Sequence, residues 1–554
     1  MTAEPMIRFD RVTFHYPGAD TPALRGVDVA IDEGELVVAV GPTGSGKSTL
    51  LRAVCGLVPH FSGGLLEGRV SVAGRDTEHF PPRELADTVG FVGQNPVASF
   101  VADLVEDELA YTMENLGLRP DVMRRRVEEV LDLLGIVVLR DRPVLSLSSG
   151  QQQRVAIGAV LTASPRVLVL DEPTSSLDPA GAEEVLAALH RLVHDVGLTV
   201  VMAEHRLERV IHLADRVLTV LDGQVTIDDP ASAMRTSPVV PPIVRLGRLA
   251  GWSPLPLSIR DARRVAGPLR EQLAGIETPA PRVAVNPVAS DDTPSPWAIE
   301  ARAATVRYGQ VTALDGIELH ADAGEIVATM GRNGVGKSTL LATLVGLRRP
   351  DHGTVRVCGV DPSDLDGLER IRRVGLVPHD PGSLLYADSV ALEFELADAE
   401  GKLAAGTTSD VASSLGITLP ADAHPRSLSE GQRLLLALAV VMAHEPSVLL
   451  LDEPTRGLDY AVKEHLAAVL VDAAAHGQTI VIATHDVELA ATVAHRVIVL
   501  ADGAIITDGP AREVVCHSPT YSPQVARILA PAEWLTVDEV AAALELSGEG
   551  PVAR

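Results

Sequence analysis

Gly41 to Ser48, "GPTGSGKS", and Gly331 to Ser338, "GRNGVGKS", each set a lysine and a serine hydroxyl directly behind a spaced run of glycines. This is the pattern G-x-x-x-x-G-K-[ST]. Gly41, Gly44 and Gly46, like Gly331, Gly334 and Gly336, let backbone N–H groups turn inward around phosphates, and a following helix N-terminus adds positive potential. Lys47 and Lys337 would reach the β- and γ-phosphates, and Ser48 and Ser338 would ligate Mg²⁺, with Thr49 and Thr339 next in line. Downstream, Asp171–Glu172 and Asp452–Glu453 each end an apolar run. An aspartate there can hold Mg²⁺ through water, and the adjacent glutamate can polarise an attacking water as general base. His205 and His485 close a third apolar run, "TVVMA" and "TIVIA", where an imidazole can sense the γ-phosphate and orient the water. Tyr16 and Tyr308, upstream of the glycine loops, can stack on adenine. The chemistry indicated is hydrolysis of ATP with Mg²⁺.

Every one of these features occurs twice. "GPTGSGKSTLLRAVCGL" at 41–57 returns at 331–347, "RVLVLDEPTSSLD" at 166–178 returns at 447–459, and "TVVMAEHRLERV" at 199–210 returns at 479–490. So long a period describes a duplicated domain, not a solenoid. The runs "ELVVAV" and "EIVATM" end at the glycine loops and precede helical stretches, and "VLVL" and "VLLL" read as buried parallel strands. Each half is therefore expected to be an α/β domain. The repeat continues into "SPVVPPIVRLGRLAGW" at 237–252 and "SPTYSPQVARILAPAEW" at 518–534, so each half is expected to end in a small helical appendix. The expected boundaries are 5–228 and 229–275 for the first domain and its appendix, 276–297 for a proline-rich linker, and 298–508 and 509–554 for the second pair.

The 554-residue chain carries a formal net charge of −27, which disfavours coating nucleic acid, since phosphate contacts need clustered Lys and Arg. Cys55, Cys358 and Cys516 lack metal-ligand spacing and read as reduced side chains. "MTAEPMIRFD" does not read as a signal peptide, and the longest apolar run, "LLLALAVVMA" at 434–443, is too short to span a bilayer and reads as a buried helix.

Between the glycine loop and the aspartate lie "LSSGQ" at 147–151 and "LSEGQ" at 428–432. Glycine loop, LSxGQ, "LDEPT", "LD" and histidine, in that order in both halves, resemble the nucleotide-binding domains of ABC ATPases over nearly the whole chain. The resemblance implies two tandem P-loop ABC-type domains, each with a helical subdomain. It implies that LSxGQ opens a helix and completes the ATP site of the opposite half in a head-to-tail pairing. The first site would then join Tyr16, Lys47, Ser48, Gln94, Asp171, Glu172 and His205 with Ser429, Gly431 and Gln432. The second would join Tyr308, Lys337, Ser338, Asp452, Glu453 and His485 with Ser148, Gly150 and Gln151. Asp178 and Asp459 would communicate between them. The family glutamine that meets Mg²⁺ and water is Gln94 in the first half, but the matching residue in the second is His379, which cannot donate and accept like an amide. The third signature residue is Ser149 in one copy and Glu430 in the other, where the family usually has glycine. Unequal turnover at the two sites is expected.

Within that family, "QNPVASFVADLVEDELAYTMENLGL" at 94–118 resembles the scaffold-docking segment of energy-coupling factor (ECF) transporter ATPases. This implies an ATP-hydrolysing subunit at the cytoplasmic face of the cell membrane, importing a vitamin, metal ion or similar micronutrient. Its partners would be an integral membrane scaffold (T-type) subunit and a substrate-binding (S-type) membrane subunit, with no nucleic acid. Asp103, Glu106, Asp107 and Glu108, with Asp388, Glu393 and Glu395 in the second half, could receive arginines from the scaffold. The alternative is a soluble tandem ABC ATPase acting on ribosomes or another macromolecule; a ribosomal one should show a charged helical linker and basic surface.

Overall fold

The computed structural model describes residues 4–175, 177–280 and 297–546. Most of the expected 276–297 linker lies outside the described residues. Two compact units divide between Ala262 and Arg263.

In the first unit, the apolar runs form a six-stranded sheet. Its strand order is Gln224–Asp228, Arg216–Leu221, Leu36–Val40, Thr199–Ala203, Val167–Asp171, Val89–Val92. All neighbours are parallel except the pair at the Gln224–Asp228 edge. The central strands are buried along their whole length, as continuous apolar runs in a doubly covered parallel sheet should be. A second, antiparallel sheet contains Leu24–Ile31, Ile7–His15, Leu65–Val72 and Arg75–Asp76. The alternating burial of Ile7–His15 reflects its one covered face. The helix Lys47–Val54 is part of the same apolar core as both sheets, through Leu50, Leu51, Ala53 and Val54.

The second unit repeats this plan. Its six-stranded sheet runs Val374–Val377, Val448–Asp452, Thr479–Ala483, Ile326–Met330, Arg496–Ala501, Ala504–Pro510. The antiparallel sheet holds Val311–Ala321, Ile299–Tyr308 and His352–Val357. The expected buried helix is Glu430–Met442, with Leu434, Leu436, Ala437, Leu438 and Ala439 in the interior.

Helices Val105–Asn115, Pro120–Leu133 and Ser149–Leu161 form the helical subdomain of the first unit. Close approach there depends on Gly158. A Cβ at this position would stand 2.9 Å from Leu109 Cδ2 and 3.1 Å from Val130 Cγ1. The helical appendices are present after both sheets, as Pro230–Thr236 and Pro242–Leu249 in the first unit and Ala511–Cys516, Gln524–Leu529 and Val537–Leu546 in the second. The division at 262/263 falls inside the stretch assigned from sequence to the first appendix. Helix Gly267–Leu273 groups with the second unit, where the Arg270 guanidinium donates to the Ile528 carbonyl oxygen. The signal missed was the need of the C-terminal carbonyls of Gln524–Leu529 for donors, which Arg263 also supplies through Arg527 O.

Gly158→Leu is expected to force these helices apart and to cost about 1–3 kcal/mol. Urea unfolding of the full chain, followed by a probe in the first unit, checks this.

Candidate active site

The glycine loops carry the first requirement. Gly46 has φ +111° and Gly336 φ +109°, and a Cβ on either would stand 2.5 Å from Ala23 O or 2.4 Å from Ala313 O. Only glycine fits, so the loop turns tightly into the helix that begins at Lys47 or Lys337. Both lysines are buried. Lys47 Nζ donates to Gly41 O (2.8 Å) and Pro42 O (2.9 Å), and Lys337 Nζ to Gly331 O (2.8 Å) and Arg332 O (3.1 Å). Each ammonium is thereby folded onto its own loop.

Sheet register supplies the second requirement. Asp171 is paired with Ala203, and Val92 lies beside Leu170 in the adjoining strand. The residues that follow these strand ends therefore meet. Glu172 receives Gln94 Nε2 at 3.0 Å on one carboxylate oxygen and His205 Nε2 at 2.9 Å on the other. Ser48 Oγ donates to Asp171 Oδ1 at 3.3 Å. In the second half the Ser338 hydroxyl acts to lower the Asp452 carboxyl, against the effect of burial. Burial, with the neighbouring Glu172 carboxylate, pushes the Asp171 carboxyl above its ordinary range, and burial does the same to Asp452. Glu172 and Glu453 sit at φ +53° and +50°, a left-handed backbone that non-glycine residues rarely adopt.

The second half is wired differently. Glu453 lies 2.6 Å from His485 Nδ1 and 3.6 Å from Lys337 Nζ. His379, expected to stand in for Gln94, is exposed and bonded through Nε2 to the Arg456 guanidinium at 2.9 Å.

Other expected residues have mixed placements. Ser148 and Ser429 are the N-caps of Ser149–Leu161 and Glu430–Met442, as the resemblance implied. Each cap is reciprocated by Gln151 or Gln432, whose side-chain oxygen accepts from the serine N–H. These glutamines, expected among the nucleotide ligands, thus have a capping duty in the helix start. Gly150 and Gly431 occupy the first turn of the same helices. Asp178 and Asp459 cap Pro179–His194 and Tyr460–Ala475. Tyr16 donates to or accepts from Thr49 Oγ1 (3.1 Å) and meets Phe14 edge-on, while the Tyr308 ring lies under the Arg348 guanidinium. Thr339 uses its carbonyl to accept from the Thr343 hydroxyl.

Two docking acids need correction. Glu108 is buried and accepts Val101 N and Ala102 N, both at 2.8 Å, and Glu393 accepts Tyr386 N and Ala387 N in the same manner. Buried carboxylates that satisfy loop N–H groups are not available to a partner's arginine. Asp103, Glu106, Asp107, Asp388 and Glu395 are exposed.

Sequence reasoning passed over Glu204. It is buried beside His205 and accepts Thr174 N (2.8 Å), the Thr174 hydroxyl and His205 N (3.1 Å). Aligning "AEHR" against "ATHD" would have exposed the position as a difference between the copies.

A phosphate loop at the end of a central parallel strand, with acid and histidine on the neighbouring strand ends, defines an α/β P-loop nucleotide-hydrolysing domain, present twice. The chain belongs to the ABC transporter family, which it matches at residues 24–175 and 314–456. It is 58% identical to a Streptomyces coelicolor protein described as a candidate ABC transporter ATP-binding protein, across 97% of this chain and all of that one. The solved structure of cbiO1 from Clostridium perfringens, part of the ABC transporter complex cbiONQ, shares 29% identity over 42% of this chain and 92% of its own, with a TM-score of 0.39. A structure of ribosome-bound archaeal Pelota and ABCE1 shares 21% identity over 91% of this chain and 80% of its own, with a TM-score of 0.60, a likeness of fold.

Members of this family bind ATP with Mg²⁺. The donor set suits a hard cation: the Ser48 and Ser338 hydroxyls and the Asp171 and Asp452 carboxylates offer oxygen ligands. Among the described residues, one buried oxygen of Asp452 and the buried Ser45 hydroxyl have no hydrogen-bond partner. Among the described residues, no helix is long and apolar enough to cross a membrane.

Because the folded-state carboxyl of Asp171 lies above its unfolded value, ligand-free stability falls as pH rises through that range. Asp171→Asn is expected to raise the ligand-free melting temperature at neutral pH by about 2–4 °C, the effect of roughly 1 kcal/mol, and to abolish the further rise given by MgATP to the first unit. Differential scanning fluorimetry with and without MgATP reads both.

Proposed function

We propose that this chain is the energy-coupling ATPase of an ECF-type importer. It would act peripherally at the cytoplasmic face of the cell membrane and drive uptake of a vitamin, metal ion or similar micronutrient. The observation that carries this reading is the continuity of Gln94 with the docking segment. Gln94 holds Glu172, and the chain runs directly from it into 94–118, where Asp103, Glu106 and Asp107 stay exposed. Exposed Leu104 and Tyr111 add apolar surface beside those acids. Such a surface is complementary to a basic, partly apolar helix of a membrane scaffold, which in turn would bear on an S-type subunit.

In the proposed sites, Lys47 and Lys337 turn their ammonium groups from loop carbonyls to phosphate oxygens, and loop N–H groups orient the chain of phosphates. Ser48, Gln94 and Asp171, with Ser338 and Asp452, are the residues that would hold Mg²⁺. The cation, when bound, neutralises charge on the phosphate oxygens. Glu172, kept in place by Gln94 and His205, accepts a proton from the attacking water as general base, and Glu453 with His485 is proposed for the same task. Ser148, Gly150, Ser429 and Gly431 would offer hydroxyl and N–H donors at capped helix starts. Tyr16 and Tyr308 would support adenine. Asp178 and Asp459 would relay the state of one site to the other. ATP binding and product release would drive alternating closure and opening of the nucleotide-binding units, and this motion would move the scaffold.

Affinity purification of the full chain from native membranes in mild detergent is expected to recover a polytopic scaffold and a small hydrophobic subunit. Glu106→Lys with Asp107→Lys is expected to lower that recovery at least tenfold while leaving ATP hydrolysis by the isolated chain unchanged. Recovery of ribosomal proteins would overturn the importer reading in favour of the soluble alternative.

A further inference from the structure

The two halves attach the backbone of their histidines to different acceptors, and the difference begins at one residue. In the second half His485 N donates to the Glu453 carboxylate itself, at 3.2 Å from Oε2. The same oxygen stands 2.6 Å from His485 Nδ1, while Oε1 faces Lys337. In the first half His205 N donates to Glu204 Oε2 at 3.1 Å. The second half has Thr484 at that place, and its hydroxyl turns to Asp486 N at 3.0 Å. Glu172, relieved of the backbone donor, spends one oxygen on Gln94 Nε2 and the other on His205 Nε2.

Glu204 also acts on the other side of the site. Its Oε1 accepts both the N–H and the hydroxyl of Thr174, two residues beyond Glu172, and Thr174 is fully buried. The Thr174 carbonyl oxygen in turn accepts from Arg209 at 3.4 Å. A single buried carboxylate thus ties the strand end that carries the histidine to the turn that carries the glutamate. Three N–H or O–H donors converge on it and offset part of its desolvation, though burial still holds the carboxyl above its ordinary range.

We propose that Glu204 is a positioning residue confined to the first half, and that it makes the first phosphate site the faster of the two. It takes the His205 amide away from Glu172, so that the Glu172 carboxylate is held by two side chains and stays turned toward the position of a water. Without such a residue, Glu453 folds onto the His485 main chain and toward Lys337, the ammonium that phosphate would otherwise engage. This rests on Glu172 being the general base of the first site.

The test uses the full chain with Glu453→Gln as parent, so that turnover reports the first site. Glu172→Gln in this parent is the control and is expected to abolish the remaining hydrolysis. Glu204→Thr, which copies the second half, is expected to lower kcat about tenfold, the loss of one hydrogen bond to a charged group, with KM for ATP and affinity for a fluorescent ATP analogue within about twofold of the parent. Should Glu204→Thr fail to fold, Glu204→Gln decides. It keeps an oxygen for Thr174 but offers an amide N–H₂ or an already engaged oxygen to His205 N, and the same fall in kcat at constant KM is expected. An unchanged kcat in the folded variant, with Glu172→Gln silent, would overturn the role of Glu204 and leave the base in place. A change confined to KM or analogue affinity would overturn it as well. Persistent turnover in Glu172→Gln would remove the base assignment, and the role of Glu204 with it.

Discussion

Five parallel strands run to the same end of each six-stranded sheet, and what lies at the ends of four of them governs everything around it. In the first unit the ends of Leu36–Val40, Thr199–Ala203, Val167–Asp171 and Val89–Val92 are held in order by register, Ala39 beside Ala203 and Asp171 beside Ala203 in turn. The residues just past them are a glycine loop, a histidine, two acids and an amide. Parallel pairing leaves no freedom to separate these groups without slipping a strand whose side chains are buried on both faces. Charge is therefore concentrated where solvent is scarce. The raised Asp171 and Asp452 carboxyls record that conflict, as does the left-handed backbone of Glu172 and Glu453. A site so arranged would be relieved by a cation and phosphates.

Most of these polar groups draw on protein partners in the meantime. Lys47 and Lys337 bond loop carbonyls, Ser48 bonds Asp171, and the glutamates draw on histidine. These contacts are the reservoir that ligand binding would exchange for contacts with nucleotide. Because the exchange is between similar donors and acceptors, small differences in wiring translate into differences between the halves. Three such differences stand close together in the fold: Gln94 against His379, Glu204 against Thr484, and Ser175 against Arg456. The last is coupled to the first, since Arg456 is the partner of His379.

The helical subdomain obeys a different rule. Its signature helices begin with reciprocal serine–glutamine caps, so the geometry of the "LSSGQ" and "LSEGQ" stretches is set locally by four backbone-satisfying hydrogen bonds, two in each copy. The helices Val105–Asn115 and Val390–Gly401 are also anchored locally, by Glu108 and Glu393 turned inward onto loop N–H groups. The acids one or two residues away, Glu106, Asp107 and Glu395, remain exposed, so neighbouring carboxylates of one helix differ completely in environment.

Sequence alone determined the duplicated α/β plan, the glycine loops and the strand-end acids, because each is a local pattern: spaced glycines before a lysine, apolar runs for buried strands, acids at their ends. It also carried the family resemblance. It did not reveal that Glu108 and Glu393 are buried, since an amphipathic acid's direction depends on the loop folded over it. It did not place Gly267–Leu273 with the second unit, because the acceptors that hold Arg263 and Arg270 lie more than 250 residues away in the chain. Nor did it identify Glu204, whose partners Thr174 and His205 converge only when two parallel strands are in register. Local chemistry was legible because it is written in adjacent residues. The assignment of each carboxylate to a proton, a loop or a partner was decided by tertiary contacts, which fix burial and donor count together.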